Sequence, residues 1–314
     1  MDATHLVREW IVATARPLDI VDPSAPLTDL RPLGEITGEA TVVGIGTSIR
    51  TAHEPSVLMH RILRFLVEEM GFRSVLLEGD ETKSAELAGY IRTGRGDPRE
   101  MLTDARVFWR NEEILGVLRW LRSYNETHPA DPVRLVAAGE PQDASWQESL
   151  SAIERHLAEG VIEWQERTGD KIVYWGGIAH TGVGSRRLVT QHTSLERQRN
   201  AGSYLRERFG AGYRSVGVTF GNGTVPYEVP APPADYAEHN LLTADLPPYL
   251  LDLHAEAPGP VRAWLDAPTK TRLIGPNYDP ANDAVYHLSG QALAEWFDAV
   301  VHIPTVTPQW TLTG

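Results

Sequence analysis

The stretch from Thr41 to Leu77 constrains the fold most. Thr41–Ile45 is a short apolar run rich in β-branched residues, and Ser74–Leu77 is a second apolar run. Both read as buried strands. Between them, over Glu54–Met70, Val57, Leu58, Ile62, Leu63, Phe65, Leu66 and Met70 recur at helical spacing, and Gly71 ends the pattern. Strand, helix, strand is a βαβ unit. The sheet therefore starts parallel and gathers its carboxyl-end loops at one edge.

The alternation continues along the chain. Helices are predicted at Ser84–Arg92, Asn111–Ser123, Ser145–Arg167 and Arg199–Phe209, and strands at Val133–Ala137 and Lys171–Trp175. Arg214–Phe220 and Val225–Val229 flank Gly221-Asn222-Gly223, a hairpin signal. Further strands fall at Tyr249–Leu253, Thr271–Ile274 and Ala299–Ile303. The N-terminus reads as a helix with Leu6, Trp10 and Ala13 on its apolar stripe, and Pro-rich Arg16–Pro32 reads as a linking loop. The fold class that follows is α/β. A single domain over 1–314 has a central, mainly parallel β-sheet flanked by helices and a C-terminal hairpin, with 1–32 as the N-terminal helix and linking loop.

Composition narrows the function. The 314 residues are 42% hydrophobic and 23% charged, which suits a globular chain with a large core. A net charge of −13 repels phosphate backbones, so no nucleic acid partner is expected. No apolar run reaches membrane-spanning length, and Asp2 and Glu9 stand where a signal peptide would be basic and then apolar. A cytoplasmic location without membrane association is the expectation. With no cysteine, thiolate chemistry and Cys-ligated zinc are excluded.

Ligands of open α/β sheets bind beyond the strand carboxyl ends. Here those ends carry Gly44-Ile45-Gly46-Thr47-Ser48, Glu78-Gly79-Asp80-Glu81, Gly139-Glu140-Pro141-Gln142 and Trp175-Gly176-Gly177-Ile178-Ala179-His180. Parallel strands would bring Ser48, Glu78, Glu140 and His180 to one edge. A dinucleotide site fits poorly, because Ile49 replaces the third motif glycine and Glu78 comes too late. His53-Glu54 begins a zincin pattern, but Val57 stands at the second histidine. His60, Arg64 and Glu68 at i,i+4 read as a solvated face, and His53 as an exposed loop histidine. No G-x-S-x-G elbow is present, and Ser48 has capping or turn bonding as its plainer role. No metal and no cofactor are expected. Pattern alone gives a small-molecule site with a Glu and a His, without choosing a reaction.

At the same strand ends the chain resembles the erythromycin esterase family over nearly its whole length. The blocks that carry the likeness are VVGIGTSIRTAHEPSVLMHRILRFLVEEMGF, SVLLEGD, FWRNEEILGVLRWLRSYN, KIVYWGGIAH, AGSYLRERFGAGYRSVGVTFGNGTV and FDAVVHIPTVTP. The resemblance implies metal-independent ester hydrolysis. In it the histidine of a G-E-x-T-H motif activates water, while glutamates and the histidines of W-A-H-N-x-H orient and stabilise charge. Read from Gly44, the motif glutamate is replaced by Ile45 and its histidine by Ser48, with a two-residue expansion around Arg50–Ala52. Gly177 and Ile178 replace the first histidine and the asparagine of the second motif. Glu78 and His180 remain. The segment from Gly139 to Lys171 is shorter than the helical insert of the esterases.

The resemblance with these losses implies a natural-product tailoring enzyme that keeps the pocket and changes the reaction. Its chemistry would be non-hydrolytic acid–base work (cyclisation, dehydration, isomerisation or acyl transfer) on a polyketide- or peptide-like small molecule. Glu78, His180 and Ser48 are the catalytic candidates. Thr47, His53, Glu54, Trp109, Arg110 and Glu140 are the candidates for holding substrate. The alternatives are an ester or lactone hydrolase using His53 or His180, and a non-catalytic small-molecule or haem binder with His180 as axial ligand.

Overall fold

The computed structural model describes residues 3–19, 22–78, 81–136, 150–184, 188–189, 199–275 and 278–312. Its strands are β1 (Arg16–Pro17), β2 (Val42–Thr47), β3 (Ser74–Leu77), β4 (Arg134–Leu135), β5 (Ile172–Gly177) and β6 (Leu188–Val189). They continue as β7 (Tyr213–Thr224), β8 (Glu228–Val229), β9 (Tyr249–Asp252), β10 (Pro268–Arg272), β11 (His287–Ala292) and β12 (Ala299–Val306). The helices are α1 (Ala3–Thr14), α2 (Arg31–Thr37), α3 (His53–Glu68), α4 (Glu81–Thr93), α5 (Pro98–Leu102) and α6 (Glu112–Thr127). After them come α7 (Leu150–Thr168), α8 (Ile178–Thr181), α9 (Ala201–Phe209), α10 (Ala237–Leu242), α11 (Gly259–Asp266) and α12 (Leu293–Trp296).

The main sheet runs β1-β9-β12-β7-β2-β5-β3-β4, with β8 hairpinned onto β7. From β12 to β4 every neighbouring pair is parallel. The edge pairs β12–β9 and β9–β1 are antiparallel. Every residue of β2, β3 and β5 is buried, which explains why they read as unbroken apolar runs: helices cover both faces. On one face α3 and α6 pack Leu58, Ile62, Leu66, Leu115 and Leu118 against Val43, Ile45 and Val173. On the other, Ala158 and Val161 of α7 and Leu205 of α9 cover Val42, Leu76 and Tyr174.

The α/β fold with a mostly parallel sheet is the one expected, with three local differences. The hairpin turn lies at Val225–Tyr227, and Asn222 and Gly223 stay in β7, paired with Thr305 and Val306 of β12. Parallel pairing to a long neighbour thus outweighs the local Asn-Gly preference. A separate antiparallel sheet, β10-β11-β6, was not foreseen. The N-terminal stretch is more than a linking loop: Arg16 and Pro17 pair with β9, and α2 begins at Arg31. Buried Arg61 fastens it further by a two-pronged ion pair to Asp29.

Candidate active site

The parallel register brings Thr47 level with Gly177, and Leu77 level with Trp175. Glu78 leaves β3 with its N–H donated to the Trp175 carbonyl at 3.0 Å. Two glycines at the end of β5 give it room. A methyl group on Gly176 would stand 2.5 Å from Glu78 Oε2, and one on Gly177 would stand 2.9 Å from Arg50 Nη2. In that space Glu78 Oε2 accepts the Gly177 N–H at 3.0 Å and Arg50 Nη2 at 2.6 Å. The Arg50 guanidinium also lies over the Phe108 ring, 4.5 Å from its centre.

His180 sits on α8, the single turn that starts where β5 stops. Its Nε2 is 3.4 Å from Glu78 Oε1, and its Nδ1 is 2.7 Å from Glu154 Oε1. Glu154 reaches in from α7 and is fully buried; its Oε2 accepts the N–H of Ala201, the first residue of α9, at 2.8 Å. Glu154, His180, Glu78 and Arg50 therefore form one continuous line of charged and ionisable groups.

The electrostatics assign different parts to its members. Burial alone would raise the Glu78 pKa. The charges of Arg50 and of His180 when protonated, with the two hydrogen bonds, outweigh it and bring the value down to about 2. Glu78 is thus a fixed negative charge near neutral pH. Burial, and then the Glu78 and Glu154 charges, push Tyr174 well above the ordinary phenol range; its hydroxyl is buried and makes no hydrogen bond. A carboxylate only accepts, so Glu154 fixes the His180 proton on Nδ1 and leaves Nε2 to exchange one.

The other sequence-predicted residues fall in three places. Thr47 and Trp109 line a cavity of about 20 Å³ beside Arg50 and Gly176, room for about one water. Ser48 is bonded through its backbone to Val218 and Ile274, and its buried hydroxyl makes no hydrogen bond, so it is outside the line. Arg110 is exposed and donates to the Ala105 carbonyl, not to this cavity. Glu54 accepts the Thr307 N–H and hydroxyl, both at 2.7 Å, tying α3 to the segment after β12. Glu140 lies outside the described residues.

His53 is not an exposed loop residue. It begins α3, places Nδ1 2.6 Å from Glu113 Oε1 and stacks on Trp310 at 4.7 Å. It lines a cavity of about 860 Å³ between α3 and α6, which meets the small one at Ser56. His60, expected on a solvated face, is buried in the wall of this larger cavity, edge-on to Trp120. Burial, helped by the Arg64 charge, lowers its pKa to about 3.

Arg50 and Glu154 were missed by sequence reasoning. For Glu154 a signal existed: it falls four and seven residues before buried Ala158 and Val161, an acid on an apolar stripe. Arg50 looked like part of a loop expansion.

Known proteins resemble this chain in sequence and in fold. A model described as erythromycin esterase matches residues 67–139 and 134–306. An Escherichia coli protein, erythromycin esterase type II, is 29% identical over 118 residues, 38% of this chain and 28% of that protein. Among solved structures, a succinoglycan biosynthesis protein superposes with a TM-score of 0.83 at 20% identity, over 99% of both chains. A mutant of the erythromycin esterase EreC in its open conformation gives 0.67 at 13% identity, covering 96% of this chain and 100% of its own. At such identities the superpositions speak for the fold alone.

Proposed function

Because the chain belongs to the erythromycin esterase family, we propose that it is an enzyme of acid–base chemistry on a small molecule, with His180 as the group that moves the proton. The observation that carries this reading is the clamp on His180: Glu154 at 2.7 Å on one nitrogen, and the Glu78–Arg50 pair beside the other. Glu154 orients the ring. His180 Nε2 takes a proton from a substrate C–H or O–H and returns it to another atom of the same molecule. Glu78, ionised down to about pH 2, supplies charge and does not carry the proton. Arg50, 2.6 Å from Glu78, carries the positive charge that would meet negative charge developing on an oxygen, while the Thr47 hydroxyl is held by donating to the Ile49 carbonyl at 2.7 Å.

The position of Arg50 supports a change of reaction within the family. Setting the motif glycine on Gly46 instead of Gly44 puts Thr47 at its glutamate and Arg50 at its histidine, with no expansion before α3. An arginine does not serve as a base near neutral pH. The proton-transfer reactions favoured are cyclisation, dehydration and isomerisation of a polyketide- or peptide-like compound. Ester or lactone hydrolysis is the second reading, because the clamped imidazole would equally draw a proton from water.

Purified enzyme incubated with a metabolite extract of the gene-deleted source strain decides between them by mass spectrometry. A product isomeric with its precursor, or lighter by one water, is the expected result, and it disappears with His180→Ala. A product heavier by one water, or two fragments whose masses sum to the precursor plus one water, establishes hydrolysis of a lactone or an ester respectively. Turnover that survives His180→Ala overturns the assignment of the base.

A further inference from the structure

The larger cavity has its own chemistry. Three carboxylates line it, Asp22, Glu112 and Glu113, against one guanidinium, Arg64. Arg64 is engaged with Glu68 and with the carbonyls of Pro23 and Ala25. Glu112 is held by the two terminal guanidinium nitrogens of Arg99, at 2.6 and 2.9 Å. Glu113 is different. Its side chain is 5% exposed, and Oε1 takes both His53 Nδ1 and the Trp310 N–H. Oε2 is buried with no hydrogen-bond partner at all.

The apolar part of the wall is aromatic. Trp120 and Trp310 line the cavity with Val57 and Gly116, and Trp310 is 63% exposed, so its indole is accessible to a ligand. Indole faces attract cations through the ring quadrupole. A buried carboxylate oxygen without a partner favours the same sign of ligand. At about 860 Å³ the space suits a molecule with an apolar body and not a bare metal ion.

We infer that the cavity between α3 and α6 is a binding site for an organic ammonium ion carried on an apolar body. The ammonium group sits between Glu113 and the indoles, and the body extends along Val57 and Gly116. The site is distinct from the His180 line, which it approaches only at Ser56.

Calorimetry on the full chain tests this with three probes: benzyltrimethylammonium, benzyl alcohol and benzenesulfonate. The ammonium should bind about tenfold more tightly than the alcohol, and the sulfonate should give no heat. Glu113→Gln keeps an acceptor for His53 and Trp310 but removes the charge. It should weaken the ammonium about tenfold and leave the alcohol unchanged. His180→Ala should leave ammonium binding intact, so this inference and the reading of the catalytic base fail separately. If Glu113→Gln does not fold, Trp310→Ala alters an exposed side chain and should weaken the ammonium about fivefold. Equal affinity for ammonium and alcohol, indifference to the folded variants, or no ammonium heat at millimolar concentration overturns the inference.

Discussion

Two carboxylate–imidazole pairs in this molecule have nearly the same length and very different surroundings. Glu154–His180 spans 2.7 Å at the sheet edge, and Glu113–His53 spans 2.6 Å where α3 and α6 begin. In the first, both oxygens of Glu154 are used, and the far side of the imidazole meets a carboxylate anchored by Arg50 and a backbone N–H. In the second, one oxygen of Glu113 carries two bonds while the other has none, and the ring lies flat on an exposed indole. The pair itself does not decide what it can do; the groups on the open side do. A fixed ion pair beside Nε2 suits proton transfer, whereas an indole and an unpaired oxygen suit holding a ligand.

The sharpest way to break that contrast is to remove each ring. His180→Ala should lower kcat/KM by about a hundredfold or more, the usual size of an acid–base contribution. His53→Ala should change kcat/KM less than about tenfold and act mainly on ammonium binding in the larger cavity. Equal losses in the two variants would mean that the two pairs are one catalytic unit joined through Ser56.

Next in size is the orienting carboxylate. Glu154→Gln still accepts the Ala201 N–H but can turn its amide toward Nδ1, which then becomes the acceptor and sends the ring proton to Nε2. The expected cost is about a hundredfold in kcat at unchanged KM, with a shifted pH–rate profile. A purely structural Glu154 would instead lower the unfolding temperature and leave the remaining folded fraction fully active. Gly176→Ala should cost less, about tenfold, because the new methyl group pushes Glu78 aside without removing a charge. Full activity in that variant would show that the placement of Glu78 over β5 is not used.

The difference between the two pairs also marks what the sequence made legible. Strand ends with glycine next to a Glu or His are conspicuous, so Glu78 and His180 were readable, as were the βαβ unit and most of the parallel core. Gly44 and Gly46 were ambiguous. They lie two apart in one strand, point to the same side, and both serve close packing, one against Tyr213 and one against Thr181. A motif starting with glycine fits either: from Gly44 it sets Ser48 at the histidine position, and from Gly46 it sets Arg50 there. The helix-borne pair was hidden for another reason. His53, His60 and Glu113 gain their meaning from α3 packing on α6, and i,i+4 polar spacing on one helix says nothing about the second helix that covers it.

Acid titration separates the two regions by window. His60, in the cavity wall, has a folded pKa of about 3 against 6.5 unperturbed. The unfolded chain therefore binds a proton that the folded one refuses, and the stability due to the neutral ring is complete above pH 6.5 and lost as pH falls toward 3. His302, fully buried on β12, behaves in the same way. Glu78 has a folded value of about 2 against 4.5. Its contribution is complete above pH 4.5 and is lost as pH falls toward 2. Between pH 6.5 and 4.5, then, the histidines act and the sheet-edge carboxylate does not. Urea unfolding across that interval should lose stability with each pH unit, and His60→Leu should flatten the slope by at most about 1.4 kcal/mol per unit, leaving the shares of His302 and of His287, which burial also holds below its ordinary value. Glu78→Gln should leave that slope alone and act only below pH 4.5. A His60→Leu slope identical to that of the unsubstituted protein would mean that this ring takes up its proton in the folded state, through water admitted by the cavity that it lines.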